Sequence, residues 1–264
     1  MNRFAHTFLV MLAGAAFLYP SAGAAEVPPD IAEMKVQDLR AGGDEKKRYF
    51  VIHQPVAPPQ EGWRTLFVLP GGSGDAEIQP FVTRIAKKAL RENYLVVQLV
   101  APVWNPEQAK NVVWPMEMHR IPEAKFTTPE FFLAVRDEVA KTHQLDPRYS
   151  FTFTWSSSGM NGYGLSLHPK SGVTGTFVAM SVFRPAAFPS LAAAKAHPYF
   201  IYHSPQDFIP ITHPEAARDA LQKAGATVEL QTYEGGHGWR GNVIGDIRKG
   251  IEWLEQQAEK KAVR

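Results

Sequence analysis

The sequence predicts an α/β protein, a mostly parallel central sheet with helices on both faces. Three observations carry this. Short apolar runs alternate with amphipathic stretches over most of the chain, the mark of strands joined by helical crossovers. The chain has 264 residues, the size of one moderate α/β domain. Hydrophobic residues make up 45% and charged residues 20%, so a substantial core can be buried.

The expected strands are 48–53, 65–69, 94–100, 150–154, 173–180, 199–203 and 227–233. Helical patterns fall between them. Residues 78–91 carry Phe81, Ile85 and Leu90 on one face, with Lys and Arg opposite. Residues 129–143 follow Thr128, a good N-cap, and repeat Phe132, Val135 and Val139. Further helices are expected over 161–168, 214–224 and 241–260. Pro55-Val56-Ala57-Pro58-Pro59 fits a surface turn, and 26–45, with Pro28-Pro29 and Gly42-Gly43, reads as a surface lead-in to a domain over 46–264.

The N-terminus reads as an export signal over 1–25. Arg3 precedes an apolar stretch from Phe8 to Leu18, and Ala22-Gly23-Ala24 offers the small residues that a signal peptidase needs. The competing reading, a retained anchor, is disfavoured because a span needs roughly 20 apolar residues. No stable membrane insertion is expected after cleavage, and the mature protein is expected in the periplasm or outside the cell. Cysteine is absent, which excludes disulfides, thiolate metal sites and a cysteine nucleophile. The formal net charge is +2, from 28 basic and 26 acidic residues scattered along the chain, so a nucleic-acid surface is not expected.

The chemistry starts at Phe151-Thr-Phe-Thr-Trp-Ser-Ser-Ser-Gly159. An alternating β-type run ends in three serines and a glycine, then continues as helix, the strand–turn–helix arrangement that lifts a serine out of the sheet edge. The turn closes only if the residues two positions before and after the nucleophile are small. Ser156 has Thr154 and Ser158 there, whereas Ser157 has Trp155 and Gly159, so Ser156 is favoured over Ser157. Neither flanking glycine of G-x-S-x-G is present in that register.

Three loops complete the pattern. Tyr199-Phe-Ile-Tyr-His-Ser-Pro-Gln-Asp207 runs an apolar strand into a polar loop with one carboxylate, placed to accept a hydrogen bond from a histidine and hold its tautomer. Tyr233-Glu-Gly-Gly-His237-Gly-Trp sets a histidine between glycines just past a strand, and Ser…Asp…His is the chain order of this site type. Leu69-Pro-Gly-Gly-Ser-Gly-Asp75 lacks the Gly-Lys-Ser/Thr of a phosphate loop and instead offers backbone N–H groups to a developing oxyanion. The expected donors are Gly72 or Ser73, and Ser157.

Residues 103–126 break the alternation, with Trp104, Trp114, Met116, Met118, His119 and Phe126 in no clear period. Such an insertion at the carboxyl end of a strand either lines a pocket or packs its own aromatics, and both readings stand. Trp155, Trp104 and Trp114 either shape an apolar or sugar-stacking substrate pocket or are buried core tryptophans, and both readings stand. Phe183-Arg184, just past the 173–180 strand, is placed to reach the same pocket, where Arg184 would meet an acidic substrate.

Together these pieces resemble the α/β-hydrolase superfamily, and within it secreted esterases of the polyhydroxybutyrate-depolymerase and feruloyl-esterase type, over roughly 47–254. Asp146-Pro147-Arg148 is similar to the lead that precedes their elbow, at a spacing that again selects Ser156. Residues 199–210 are similar to their His-Gly-x-x-Asp-x-x-Pro loop, with Ser204 replacing the glycine, and Glu234-Gly-Gly-His-Gly-Trp239 to their histidine loop. The resemblance implies Ser156, His237 and Asp207 as a triad that hydrolyses a small or polymer-derived carboxylic ester without metal or organic cofactor. A peptidase or amidase with the same triad is one rival expectation. A non-catalytic binding protein on this fold is the other.

Overall fold

Along Trp63–Leu69 the side chains alternate between two cores: Leu66 and Val68 enter one, Phe67 and Leu69 the other. A strand with both faces buried has to be the middle of a covered sheet. The computed structural model describes residues 28–117 and 121–262. The expected signal segment, residues 1–25, lies outside the described residues, as do Met118 and His119 of the aromatic insertion.

The strands are β1 (Lys35–Arg40), β2 (Arg48–His53), β3 (Trp63–Leu69), β4 (Tyr94–Leu99), β5 (Leu145–Trp155), β6 (Gly175–Ala179), β7 (Pro198–His203) and β8 (Thr227–Thr232). They form one sheet in the order β1-β2-β4-β3-β5-β6-β7-β8. The β1–β2 and β2–β4 pairs are antiparallel, and the rest are parallel. The helices are α1 (Gln79–Lys88), α2 (Pro106–Asn111), α3 (Thr128–Thr142), α4 (Gly159–Leu167), α5 (Thr212–Lys223) and α6 (Val243–Ala262).

Both faces are covered. On one, Val82 and Ile85 of α1 and Ile247, Ile251 and Leu254 of α6 pack against Phe151, Phe153 and Phe177 of the sheet. On the other, α3 sets Phe131, Phe132 and Val135 against Phe67 and Val97, while Tyr163 of α4 and Leu221 of α5 cover Val178 and Ile201. Such faces are the dominant source of stability, at about 25 cal/mol per Å² of apolar surface removed from water. None of the described helices is long and apolar enough to cross a membrane.

Two expectations need correction. The segment 26–45 is more than a lead-in, because it contains β1, registered on β2 from Lys35↔His53 to Arg40↔Arg48. This edge strand is mostly exposed, so no apolar run announces it. Backbone pairing holds it, with Asp38 accepting hydrogen bonds from Arg48 at 2.8 and 3.0 Å. The cap of α3 is Thr127 rather than Thr128: its N–H reaches Glu130 at 2.7 Å and its hydroxyl accepts the Glu130 N–H at 3.4 Å, a capping box.

Candidate active site

Successive parallel strands deliver their loops to one end of the sheet. There the 69–74, 100–127, 180–184, 204–210 and 233–242 connections surround the end of β5. This is where ligands gather in open α/β sheets.

Ser156 stands at the end of β5 with φ +55°, a left-handed conformation that costs a non-glycine residue about 1–2 kcal/mol. Its neighbours explain how the turn closes. Thr154 is buried against α4, where a Cβ on Gly162 would lie 2.4 Å from its Oγ1. Ser158 is buried too; its hydroxyl accepts the Trp155 N–H at 3.0 Å and reaches the Leu69 carbonyl at 2.5 Å, tying the turn to the end of β3. Small residues are therefore needed at both flanks of Ser156. Trp155 faces the opposite core, against Phe153, Phe81 and Trp239.

The three residues expected from distant parts of the chain meet here. Ser156 Oγ lies 3.0 Å from His237 Nε2, and His237 Nδ1 lies 2.8 and 2.9 Å from the two Asp207 oxygens. The Asp207 side chain is fully buried, and that of His237 is 24% exposed. With Nδ1–H donated to the carboxylate, the Nε2 lone pair faces the Ser156 hydroxyl. Ser157, by contrast, is exposed and donates its hydroxyl to the Gly72 carbonyl at 2.9 Å.

Several further residues support these three, Ser204 among them, which the sequence shows only as the replacement of a loop glycine. Ser204 accepts the Gly236 N–H at 3.2 Å and donates to Gln206 Oε1 at 2.9 Å; Gln206 in turn accepts the Gly235 N–H at 3.1 Å. These bonds lace the aspartate loop to the histidine loop. Asp207 Oδ1 accepts the Ile209 N–H at 2.8 Å, and His203 Nε2 donates to the Ile209 carbonyl at 2.9 Å. Burial depresses the pKa of His203, so its neutral form suits this role. Burial, then the Asp207 charge, raises that of Tyr233, whose hydroxyl bridges the Gly236 and Gly238 carbonyls at 2.8 and 2.9 Å. Ser181 donates to the Ser156 carbonyl at 2.7 Å. The Phe208 ring, 77% exposed, sits 4.4 Å from the His237 ring. Only its apolar side chain in a polar loop hints at it.

Beside Ser156 opens a cavity of about 660 Å³. Gly72, Ser73 and Ser157 edge it, Trp114, Met116 and Met160 line it, and Arg184 borders it. Gly72, at φ +64°, and Ser73 lie on the turn that the Gly74 N–H closes onto the Gly71 carbonyl at 3.1 Å. The other two tryptophans are packing residues, held away from this cavity by their own contacts. Trp104 lies edge-on to Phe126 at 4.9 Å, and Trp155 is enclosed in the opposite core. Trp114 does both jobs: its ring is buried and its Nε1–H donates to the Pro70 carbonyl at 2.9 Å. Among the described residues, no group of three or more His, Asp or Glu is placed to hold a metal ion.

No protein-family model matches the chain, and no curated protein matches it in sequence. Solved structures do match its fold. An α/β hydrolase enzyme from a Medee basin deep-sea metagenome library superposes with a TM-score of 0.60 at 15% identity, over 86% of this chain and 99% of that one. Esterase 2 of Thermogutta terrifontis, phosphoramylated by tabun, gives 0.60 at 16% identity, over 89% and 97%. The fluorophosphonate-binding serine hydrolase FphF of Staphylococcus aureus gives 0.58 at 14% identity, over 84% and 97%. With its mixed eight-stranded sheet, helices on both faces and serine-bearing turn after β5, the chain has the α/β-hydrolase fold.

Proposed function

We propose that this chain is an exported serine hydrolase that cleaves a carboxylic ester through an acyl-enzyme. The observation that carries the reading is the continuous hydrogen-bonded path from Ser156 through His237 to Asp207, at 3.0 and 2.8 Å. His237 Nε2 takes the Ser156 proton as Oγ attacks the ester carbonyl. Asp207 keeps the ring in the required tautomer and stabilises the imidazolium. As the tetrahedral intermediate collapses, its C–O bond to the alcohol breaks, and His237 returns the proton to that oxygen. Water, deprotonated by His237, then attacks the acyl carbon; the C–O bond to Ser156 Oγ breaks, His237 returns the proton to Oγ, and the carboxylic acid leaves.

Backbone N–H groups of Gly72 or Ser73, with that of Ser157, hold the oxyanion; one such donor is worth on the order of 3 kcal/mol. The small elbow flanks, the hydroxyl of Ser157 turned onto Gly72, and neighbours described as esterases and serine hydrolases support the same reading. Export rests on the Arg3, Phe8–Leu18 and Ala22-Gly23-Ala24 pattern alone.

The test is covalent labelling with a fluorophosphonate probe, followed by mass spectrometry of the labelled peptide. Labelling of wild type should disappear in Ser156→Ala and His237→Ala and persist in Ser157→Ala. Folded wild type that takes no label would overturn the proposal. A matched ester and amide pair then separates an esterase from an amidase, with the ester expected to turn over faster.

A further inference from the structure

The cavity beside the elbow has a composition that narrows the acyl group, given the serine-hydrolase reading above. It touches Gly72, Ser73 and Ser157 but is lined by neither His237 nor Phe208. The alcohol must depart towards His237, because that ring protonates it. The cavity, on the oxyanion side, is therefore the place for the acyl chain.

Its wall is apolar over Val112, Val113, Trp114, Met116, Met160 and Val182, and no carboxylate of the described residues lines it. Among the described residues two cations do, and they differ in pairing. Lys110 is 71% exposed and already paired with Glu107 at 3.3 Å. Arg184, also exposed, makes no ion pair among the described residues, and its neighbour Phe183 is buried edge-on against Tyr163 at 4.9 Å. Asn161, which also lines the cavity, is buried, and its Nδ2 donates to the Trp114 carbonyl at 3.2 Å. Among the described residues, Arg184 is therefore the unpaired cation left to meet a negative group in the cavity.

We infer that the site accepts an acyl group ending in a carboxylate, that is, a half-ester of a dicarboxylic acid, with its methylene chain on the apolar wall and its carboxylate on Arg184. A guanidinium offers a carboxylate two parallel N–H donors, a geometry that a neutral chain end cannot use.

The test compares p-nitrophenyl hydrogen glutarate with p-nitrophenyl pentanoate, which share the acyl chain length and differ in the terminal charge. Wild type should favour the glutarate ester in kcat/KM by about tenfold, the worth of one charge-assisted hydrogen bond. Arg184→Gln should raise KM for the glutarate ester at least fivefold more than for the pentanoate ester, and added salt should act in the same direction. Equal kcat/KM values in wild type, or equal losses for both esters in Arg184→Gln, would overturn the inference while leaving the hydrolase reading intact. Failure of that reading has its own signature, no fluorophosphonate label and neither ester cleaved. Calorimetric titration with glutarate then decides the anion site alone: binding to wild type but not to Arg184→Gln supports it, and no binding to wild type rejects it.

Discussion

The thioether sulfur of Met180 accepts the backbone N–H of Gly238 at 3.1 Å, directly beside His237. Met180 itself is buried just past the end of β6 with φ +48°, and its N–H donates to the Tyr202 carbonyl at 2.8 Å. A strained residue at the sheet end thus steadies the loop that carries the histidine, while the next residue, Ser181, holds the Ser156 carbonyl. Replacing Met180 with Leu keeps most of the volume and removes the acceptor. A lost hydrogen bond of ordinary net worth corresponds to a rate loss of roughly twofold to tenfold. The expected outcome is a drop of that size in kcat and in the rate of fluorophosphonate labelling, with KM nearly constant. Equal rates in the two proteins would remove Met180 from the support of His237.

The left-handed backbone of Ser156 makes a prediction about stability rather than rate. Glycine adopts φ +55° without the Cβ clash, although it also loses more entropy on folding. Ser156→Gly should therefore be more stable than Ser156→Ala by about 0.5–1 kcal/mol in urea denaturation. Neither variant should take the probe. Equal stability would mean that the elbow stores no strain at this residue.

These two residues also mark how far sequence reading reaches. The elbow was legible because side chains on a strand alternate, so the small residues at 154 and 158 and the large one at 155 select a single register. The inner strands were legible as apolar runs, whereas β1 was not, since an exposed edge strand is held by backbone pairing that composition does not reveal. Met180, Ser204 and Gln206 act across long stretches of chain through loop-to-loop hydrogen bonds. No periodicity announces contacts of that kind. Trp104 and Trp155 were readable as pocket-shaping or core aromatics, but the side of the sheet on which each ring settles follows from packing.

The close approach of α4 to β5 gives a third prediction. A Cβ at Gly162 would lie 2.4 Å from Thr154 Oγ1 and 3.2 Å from Val178 Cγ2, inside the packed layer beneath the elbow. Overpacking of this kind costs about 1–3 kcal/mol, and Gly162→Ala should lose stability in that range despite the better helix propensity of alanine. Thr154→Ala removes the obstructing oxygen, so the double variant should recover much of the loss. A double-mutant cycle by urea denaturation measures the coupling, and simple additivity would show that the two positions do not compete for space.

His197 predicts the acid side of the stability profile. It is buried before β7, with its Nε2 2.9 Å from Thr176 Oγ1, and burial, aided by the Lys261 charge, pushes its pKa down to about 3. Unfolded, the ring titrates near its usual value of about 6.5. The folded pKa is the lower one, so the unfolded chain binds the extra proton between those values. The stabilisation is complete above about pH 6.5 and is lost as the pH falls towards the folded value. His203, also depressed by burial, acts in the same direction. His197→Gln keeps a polar partner for Thr176 and removes the His197 titration. Between about pH 6.5 and 5, above the range of most carboxylates, unfolding free energy should fall more steeply in wild type than in the variant, by up to about 1.4 kcal/mol per pH unit. Parallel profiles in urea denaturation across that window would mean that His197 takes up its proton in the folded protein as readily as in the unfolded chain.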